Sequence, residues 1–181
     1  MSAQAVQGRQ KETITKKNPS GKALIVCDTA KCNACYLCED ICSLVKYNQM
    51  RPFLARIKTD KHAVEYPVAM ACRQCEDAAC IKACPTDADA LSMEDVLVCD
   101  PEKCILCGWC IDACPFGALN SDFDAKKVVA CDLCLENRID GLAPCVAFCP
   151  REALVEESWE TAREKGKDYL RNSLLIVEDE G

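Results

Sequence analysis

The chain has one histidine, His62, and aromatic residues make up only 6% of its 181 positions. It therefore lacks a Ser/His/Asp set and an open metal site with a supporting histidine, and substrate chemistry by this chain alone is not expected. Its seven glycines form no phosphate-cradling loop. No apolar run reaches the roughly 20 residues that span a bilayer, and none reads as a signal-peptide core, so a cytoplasmic location is expected. Basic residues are outnumbered, 22 Lys and Arg against 29 Asp and Glu, which leaves a formal charge of −7. Such a balance excludes a nucleic-acid partner, because phosphate binding needs a basic footprint.

Cysteine is what the chain has in abundance: eighteen residues, a density that in a short secreted chain would suggest a disulfide scaffold. Here they stand in tight runs, where they are poor disulfide partners for one another and good ligands to a shared metal. Cys104, Cys107, Cys110 and Cys114, followed by Pro115, have the C-x2-C-x2-C-x3-C-P spacing of a [4Fe–4S] site. Three of these thiolates wrap a cubane, and the fourth points towards a neighbouring cluster. Pro115 disfavours α geometry at Cys114, so a helix carrying Cys114 should stop there. Gly108 has no side chain to hold backbone N–H groups away from the cluster sulfurs.

Three further motifs match in kind. Cys32, Cys35, Cys38 and Cys42 repeat the spacing with Ser43 in place of proline, so a helix is expected to run on through Leu44, Val45 and Tyr47 until Arg51-Pro52. Cys72, Cys75, Cys80 and Cys84-Pro85 have a middle gap two residues longer. Cys131, Cys134, Cys145 and Cys149-Pro150 have a ten-residue gap containing Gly141 and Pro144, which reads as an exposed loop. Cys27, Asp28, Lys31, Cys32, Cys35, Cys38 and Cys42 each have an identical residue 72 positions later. The chain thus reads as a doubled two-motif unit. Sixteen cysteines in four complete motifs point to four [4Fe–4S] clusters. Tetrahedral zinc is the competing reading, although zinc sites normally join two separated cysteine pairs.

Residues 1–22 form a polar tail with Arg9, Lys11, Lys16, Lys17 and Lys22 against Glu12, either mobile or a basic docking arm. Residues 23–155 are the body, and 156–181 a C-terminal helix and tail. Within the body, 23–26 reads as a strand, 53–71 as a hairpin turning near Thr59, Asp60 and Lys61, 90–98 as a second hairpin and 118–129 as a third. Trp159, Ala162, Gly166, Tyr169 and Leu170 share a helical face over 158–171. Cys27 and Cys99 stand outside the motifs, either as buried small hydrophobes or as S–H donors near a cluster. Trp109 is expected to shield a cluster from water. Lys31, Lys82 and Lys103 lie beside motif cysteines, either solvated or stabilising a reduced cluster, and His62 is expected to be solvated or hydrogen-bonded.

Over residues 23 to about 155 this arrangement resembles the four-cluster ferredoxin-like electron-transfer subunits of large oxidoreductases. Cys38-Glu39, Cys42-Ser43-Leu44 and Pro52-Phe53-Leu54-Ala55-Arg56-Ile57 resemble the small subunits that accompany tungsten-containing aldehyde oxidoreductases and their benzoyl-coenzyme A reductase relatives. The resemblance implies an α+β fold, a duplicated bacterial-type 2[4Fe–4S] ferredoxin-like fold with short hairpins and helices. It also implies crossed ligation: Cys32, Cys35 and Cys38 with Cys149; Cys131, Cys134 and Cys145 with Cys42; Cys72, Cys75 and Cys80 with Cys114; Cys104, Cys107 and Cys110 with Cys84. The implied role is a non-catalytic subunit that relays single electrons between a large catalytic subunit, aldehyde oxidoreductase-like with tungsten- or molybdenum-pterin, and another redox partner in a hetero-oligomer. The alternatives are a free soluble polyferredoxin, a subunit of a hydrogenase, formate dehydrogenase or benzoyl-coenzyme A reductase complex, and a zinc-stabilised interaction module.

Overall fold

The apolar run that opens the body forms β1 (Ala23–Cys27), with Leu24 and Ile25 buried. Its partner is the last of the described strands, β8 (Leu154–Ser158), antiparallel with Ala23 opposite Ser158 and Cys27 opposite Leu154. In this computed structural model residues 23–60, 67–75, 77–91, 96–158, 160–162 and 164–165 are described. Between the outer strands lie three antiparallel hairpins: β2 (Ile57–Asp60) with β3 (Val68–Ala71), β4 (Asp89–Leu91) with β5 (Leu97–Cys99), and β6 (Leu119–Asp122) with β7 (Lys127–Ala130). Every sheet among the described residues is two-stranded. Each cysteine motif carries its third cysteine on a helix: α1 (Leu37–Tyr47), α2 (Ala79–Lys82), α3 (Trp109–Ala113) and α4 (Pro144–Ala147). They pack crosswise, α1 on α4 and α2 on α3, while β1 lies on β3 and β5 on β7. One continuous core results, in which Ile25, Ile57, Leu119, Val128, Val146 and Leu154 mix with Cys42, Cys72, Cys110, Cys131, Cys134 and Cys145.

The two expected helix limits have different outcomes. α3 stops at Ala113, and Cys114 is extended at φ −79° and ψ 112°, as the proline after it requires. With serine at 43, α1 runs past Cys42 as expected, but it ends at Tyr47 rather than at Arg51-Pro52. Asn48 takes the left-handed conformation there, and its N–H bonds to Leu44 O at 2.8 Å. Ser43 is fully buried; its Oγ donates to Asp40 O at 2.9 Å and accepts from Arg51 N–H at 3.0 Å. Proline here would clash with the preceding turn and leave the Arg51 N–H unpaired. Ser43→Pro is therefore expected to cost about 3–4 kcal/mol, and Ser43→Ala about 1, in anaerobic denaturant unfolding.

Residues 53–56 are not strand. Pro52–Leu54 is a 3₁₀ turn with proline at its start, and β2 begins only at Ile57. Thr59 and Asp60, expected at the turn, pair with Ala69 and Val68 as strand residues instead. The connection, with His62 and the expected strand over 63–66, lies outside the described residues. The hairpins over 90–98 and 118–129 form as expected. β8 was not anticipated: its Glu156 and Glu157 mask the strand that Leu154 anchors. The N-terminal tail is outside the described residues, as is most of the expected 158–171 helix. Residues 160–162 and 164–165 are helical, and Ser158 Oγ accepts from Thr161 N–H at 3.2 Å as an N-cap.

Candidate metal centre

Left-handed backbone recurs in step with the cysteines. The residue just before the second cysteine of each motif has positive φ: Ala34 (53°), Gln74 (48°), Leu106 (53°) and Leu133 (56°). Tyr36 and Gly108, 72 positions apart, repeat it at the starts of α1 and α3, at 61° and 82°. A left-handed residue beside right-handed ones turns successive N–H groups to one side, the concave nest that receives anions and iron–sulfur groups. Non-glycine residues in this region cost about 1–2 kcal/mol each, so the arrangement is held by what surrounds it. The Cys-Pro corners share a second pattern. Ala88 N–H donates to Cys84 Sγ at 3.2 Å and Ala153 N–H to Cys149 Sγ at 3.3 Å, each after a left-handed residue, Asp87 or Glu152. Cys42 has no such corner because α1 continues, and Arg56 N–H supplies its bond at 3.2 Å.

These elements gather the expected cysteines into groups. Cys32, Cys35, Cys38 and Cys149 line one cavity of about 350 Å³, with Thr59 Oγ1 at 3.4 Å from Cys38 Sγ. Cys72, Cys75, Cys80 and Cys114 line a second of about 480 Å³, with Arg73 and Phe116. Cys42, Cys131, Cys134 and Cys145 are buried together, close enough that Cys131, Cys42 and Cys134 all act on the Cys145 thiol. Cys84 and Cys110 meet at Asp89, whose N–H bonds Cys84 and whose carboxylate reaches Cys110. Cys35 and Cys107 are exposed.

Burial sets the chemistry of these thiols. It pushes Cys38 and Cys72 up to about 11, and Cys145 well above the ordinary thiol range together with Cys131. Burial, then Asp89, pushes Cys110 up to about 12. Thiols so raised stay protonated until a strong positive charge draws them into the thiolate form. Four-cysteine cavities cupped by N–H nests therefore fit a cationic inorganic cluster, whose loading would release protons.

Two cations missed in the sequence dominate the deepest group. Lys46 Nζ and Arg56 Nη1 both reach Asp132 Oδ2, at 2.7 and 2.6 Å, with only 10% and 17% of their side chains exposed. Asp132 Oδ1 also accepts the Cys134 N–H at 3.1 Å. Burial pushes the Asp132 carboxyl up, but Arg56 and Lys46 outweigh it and hold it below the usual carboxylate range. The alternation Lys46…Arg56 carries no motif, so only their place after Cys42 hinted at it. The lysines singled out earlier are surface ion pairs instead: Lys31 with Asp28 at 3.6 Å, Lys103 with Asp100 at 3.7 Å, and Lys82 with Asp77. Trp109, the first residue of α3 after the left-handed Gly108, is 59% exposed. Cys27 and Cys99 are partly buried, each hydrogen-bonded to the first cysteine of the following motif, Cys32 or Cys104. Burial pushes Cys27 up to about 12 and Cys99 higher still, the latter aided by Asp89.

Clustered buried thiols, recurrent N–H nests and cysteine-lined cavities define an iron–sulfur protein. The chain belongs to the 4Fe-4S dicluster domain family, whose model matches residues 63–157, and a 4Fe-4S binding domain matches residues 29–48. The electron transport protein HydN of Escherichia coli (strain K12) is 36% identical over 154 residues, covering 72% of this chain and 85% of its own. The polyferredoxin-like subunit of aliphatic sulfonate oxidoreductase from Pyrococcus furiosus is 38% identical over 122 residues, 66% of each chain. In the solved active site complex BamBC of benzoyl coenzyme A reductase with benzoyl-CoA, a chain 22% identical aligns over 82% of this one and 90% of its own, with a TM-score of 0.43. Like HydN, this chain is an iron–sulfur electron-transfer protein.

Proposed function

We propose that the chain holds four [4Fe–4S] clusters and relays single electrons between a large catalytic oxidoreductase subunit and a second redox partner. The ligand sets are Cys32, Cys35, Cys38 and Cys149; Cys42, Cys131, Cys134 and Cys145; Cys72, Cys75, Cys80 and Cys114; Cys84, Cys104, Cys107 and Cys110. The observation that carries the reading is that motif cysteines far apart in sequence line common cavities, Cys149 with Cys32 and Cys114 with Cys72. The left-handed residues that recur 72 positions apart support a duplicated ferredoxin-like unit. A single zinc ion needs its ligands at one point, whereas a cubane holds them apart at its corners. Among the described residues no three His, Cys, Asp or Glu side chains converge closely enough for one ion.

Bound clusters supply reversible one-electron storage. The chain's own residues bury Cys42, Cys131, Cys134 and Cys145 and donate N–H groups to ligand sulfurs. They bring Cys35 and Cys107 to the surface, where a redox partner can approach. The chain performs no substrate chemistry of its own, and the partner we favour is a tungsten- or molybdenum-pterin aldehyde oxidoreductase-like subunit. The polyferredoxin-like subunit of the Pyrococcus enzyme supports a place in a hetero-oligomer. Protein purified anaerobically from native cells is expected to contain about sixteen iron and sixteen sulfide per chain, and to bring with it a much larger tungsten- or molybdenum-bearing chain. Stoichiometric zinc with little iron would sink the cluster reading, and a loaded chain that purifies alone would sink the subunit reading.

A further inference from the structure

The buried charges of this chain are distributed unevenly over the four cysteine groups. Beside Cys42 and Cys134 stand Lys46 and Arg56 against one carboxylate, Asp132, which leaves one net positive charge at the end of α1 and the start of β2. Asp122, another buried carboxylate, accepts the Ala125 N–H at 3.0 Å and faces Tyr47. Beside Cys84 and Cys110 the sign is reversed. Asp89 is only 4% exposed, and its Oδ2 has no hydrogen-bond partner. Among the described residues no salt bridge reaches it; it hydrogen-bonds Cys84, Cys99 and Cys110 and also faces Cys80 of the neighbouring set. The other two groups lie between these extremes. Glu39, next to Cys38, accepts the Thr59 N–H at 2.6 Å and has Lys58 at 3.8 Å, and Arg73, in the Cys72 cavity, lies 5.8 Å above the Phe116 ring.

Reduction adds one negative charge to a cluster. A nearby buried cation favours that step and a nearby buried carboxylate opposes it, most strongly where water does not screen them. An acid nine-tenths buried with no cation beside it and one oxygen without a partner is costly to keep, so a place for it in this fold needs a reason beyond packing. We propose that Asp89 and the Lys46–Arg56 pair set the two ends of the chain's potential range. The cluster at Cys84, Cys104, Cys107 and Cys110 is then the strongest reductant of the four, and the cluster at Cys42, Cys131, Cys134 and Cys145 the electron sink. Electrons therefore run from the α2–α3 side of the molecule to the α1–α4 side, with Asp89, Lys46 and Arg56 as positioning residues for charge rather than ligands.

The inference rests on the four-cluster reading, and redox titration of the anaerobic holo chain followed by EPR tests it. Asp89→Asn keeps the shape and removes the charge. It is expected to favour reduction of the cluster it hydrogen-bonds at least tenfold, about 59 mV for one electron, and to move the Cys80 cluster in the same direction by less. The signal that moves most should be the one whose line shape changes in Cys107→Ser. Lys46→Met is expected to disfavour reduction of a different cluster by a similar factor, while Lys46→Arg leaves it in place. Asp112→Asn, an exposed charge in the first turn of α3, should move every signal less than threefold. The inference is overturned if Asp89→Asn acts no more strongly than Asp112→Asn, or if Lys46→Met and Asp89→Asn move the same signal. Should Asp89→Asn fail to hold iron, Lys46→Met decides alone, and an unmoved potential refutes the ordering. Iron near sixteen per chain with unmoved potentials counts against the ordering only, whereas iron far short of it counts against the four-cluster reading.

Discussion

Stripping iron and sulfide from the loaded chain under reducing conditions is expected to unfold the body, with loss of most strand signal in circular dichroism and of slow amide exchange. The reason lies in the scale of the parts. The strands are three to five residues long, every sheet among the described residues is two-stranded, and α2 and α4 have four residues each. Isolated two-stranded hairpins are marginal in water at best, and helices of one turn do not persist without tertiary support. What joins the pieces is a core in which six buried cysteines sit among the aliphatic residues. Emptied of a guest, Cys72 borders a cavity and Cys42, Cys131, Cys134 and Cys145 are left as mutually close thiols, while at least four non-glycine residues remain in left-handed strain. Reconstitution with iron, sulfide and thiol should restore the fold together with the visible absorption. An apo chain that kept its full set of protected amides would show that the hydrophobic core suffices alone.

Gln74→Leu is expected to cost about 2–6 kcal/mol, from two buried backbone groups left unpaired at about 1–3 kcal/mol each. Gln74 is 1% exposed. Its Nε2 donates to Cys131 O at 2.6 Å, and its Oε1 accepts from Leu97 N–H at 3.0 Å. One side chain thus ties the second motif to the fourth motif and to β5. Leucine fills a similar volume but makes neither bond, and its φ of 48° would be no more comfortable. Gln74→Glu is no milder, because it keeps the acceptor for Leu97 but sets a buried carboxyl oxygen against Cys131 O. Denaturant midpoints of both loaded variants should fall well below the wild type. Midpoints equal to the wild type would mean that water replaces the glutamine without cost.

Metal-binding character was legible because spacing is chemistry in one dimension: three thiols within seven residues have little choice but to share a guest. The hairpins over 90–98 and 118–129 were legible for the same local reason, through apolar residues on either side of a polar turn. Gln74, Asp89, Lys46 and Arg56 were not, since each acts on groups brought near by the fold. Gln74 meets Cys131 and Leu97, and Lys46 meets Asp132 across the α1–α4 packing. The exposure of Trp109 was not legible either, since its place between two cysteines says nothing of how much of the ring reaches solvent. The strand over 154–158 was hidden by two glutamates, of which Glu156 turns out to be occupied. It accepts from Ala143 N–H at 2.5 Å and pairs with Arg138 at the rim of the long loop before Cys145.

The pairing of β1 with β8 also has a consequence for how the protein is made. β1 leaves the ribosome well before its partner, with three hairpins between them. Until β8 emerges, Leu24 and Ile25 therefore belong to an open strand edge, which invites pairing with a neighbouring nascent chain. The hairpins β2–β3, β4–β5 and β6–β7 can each close as their own second strand emerges, whereas the seam where Cys27 meets Leu154, and where Cys149 comes back to the cavity of Cys32, waits for β8.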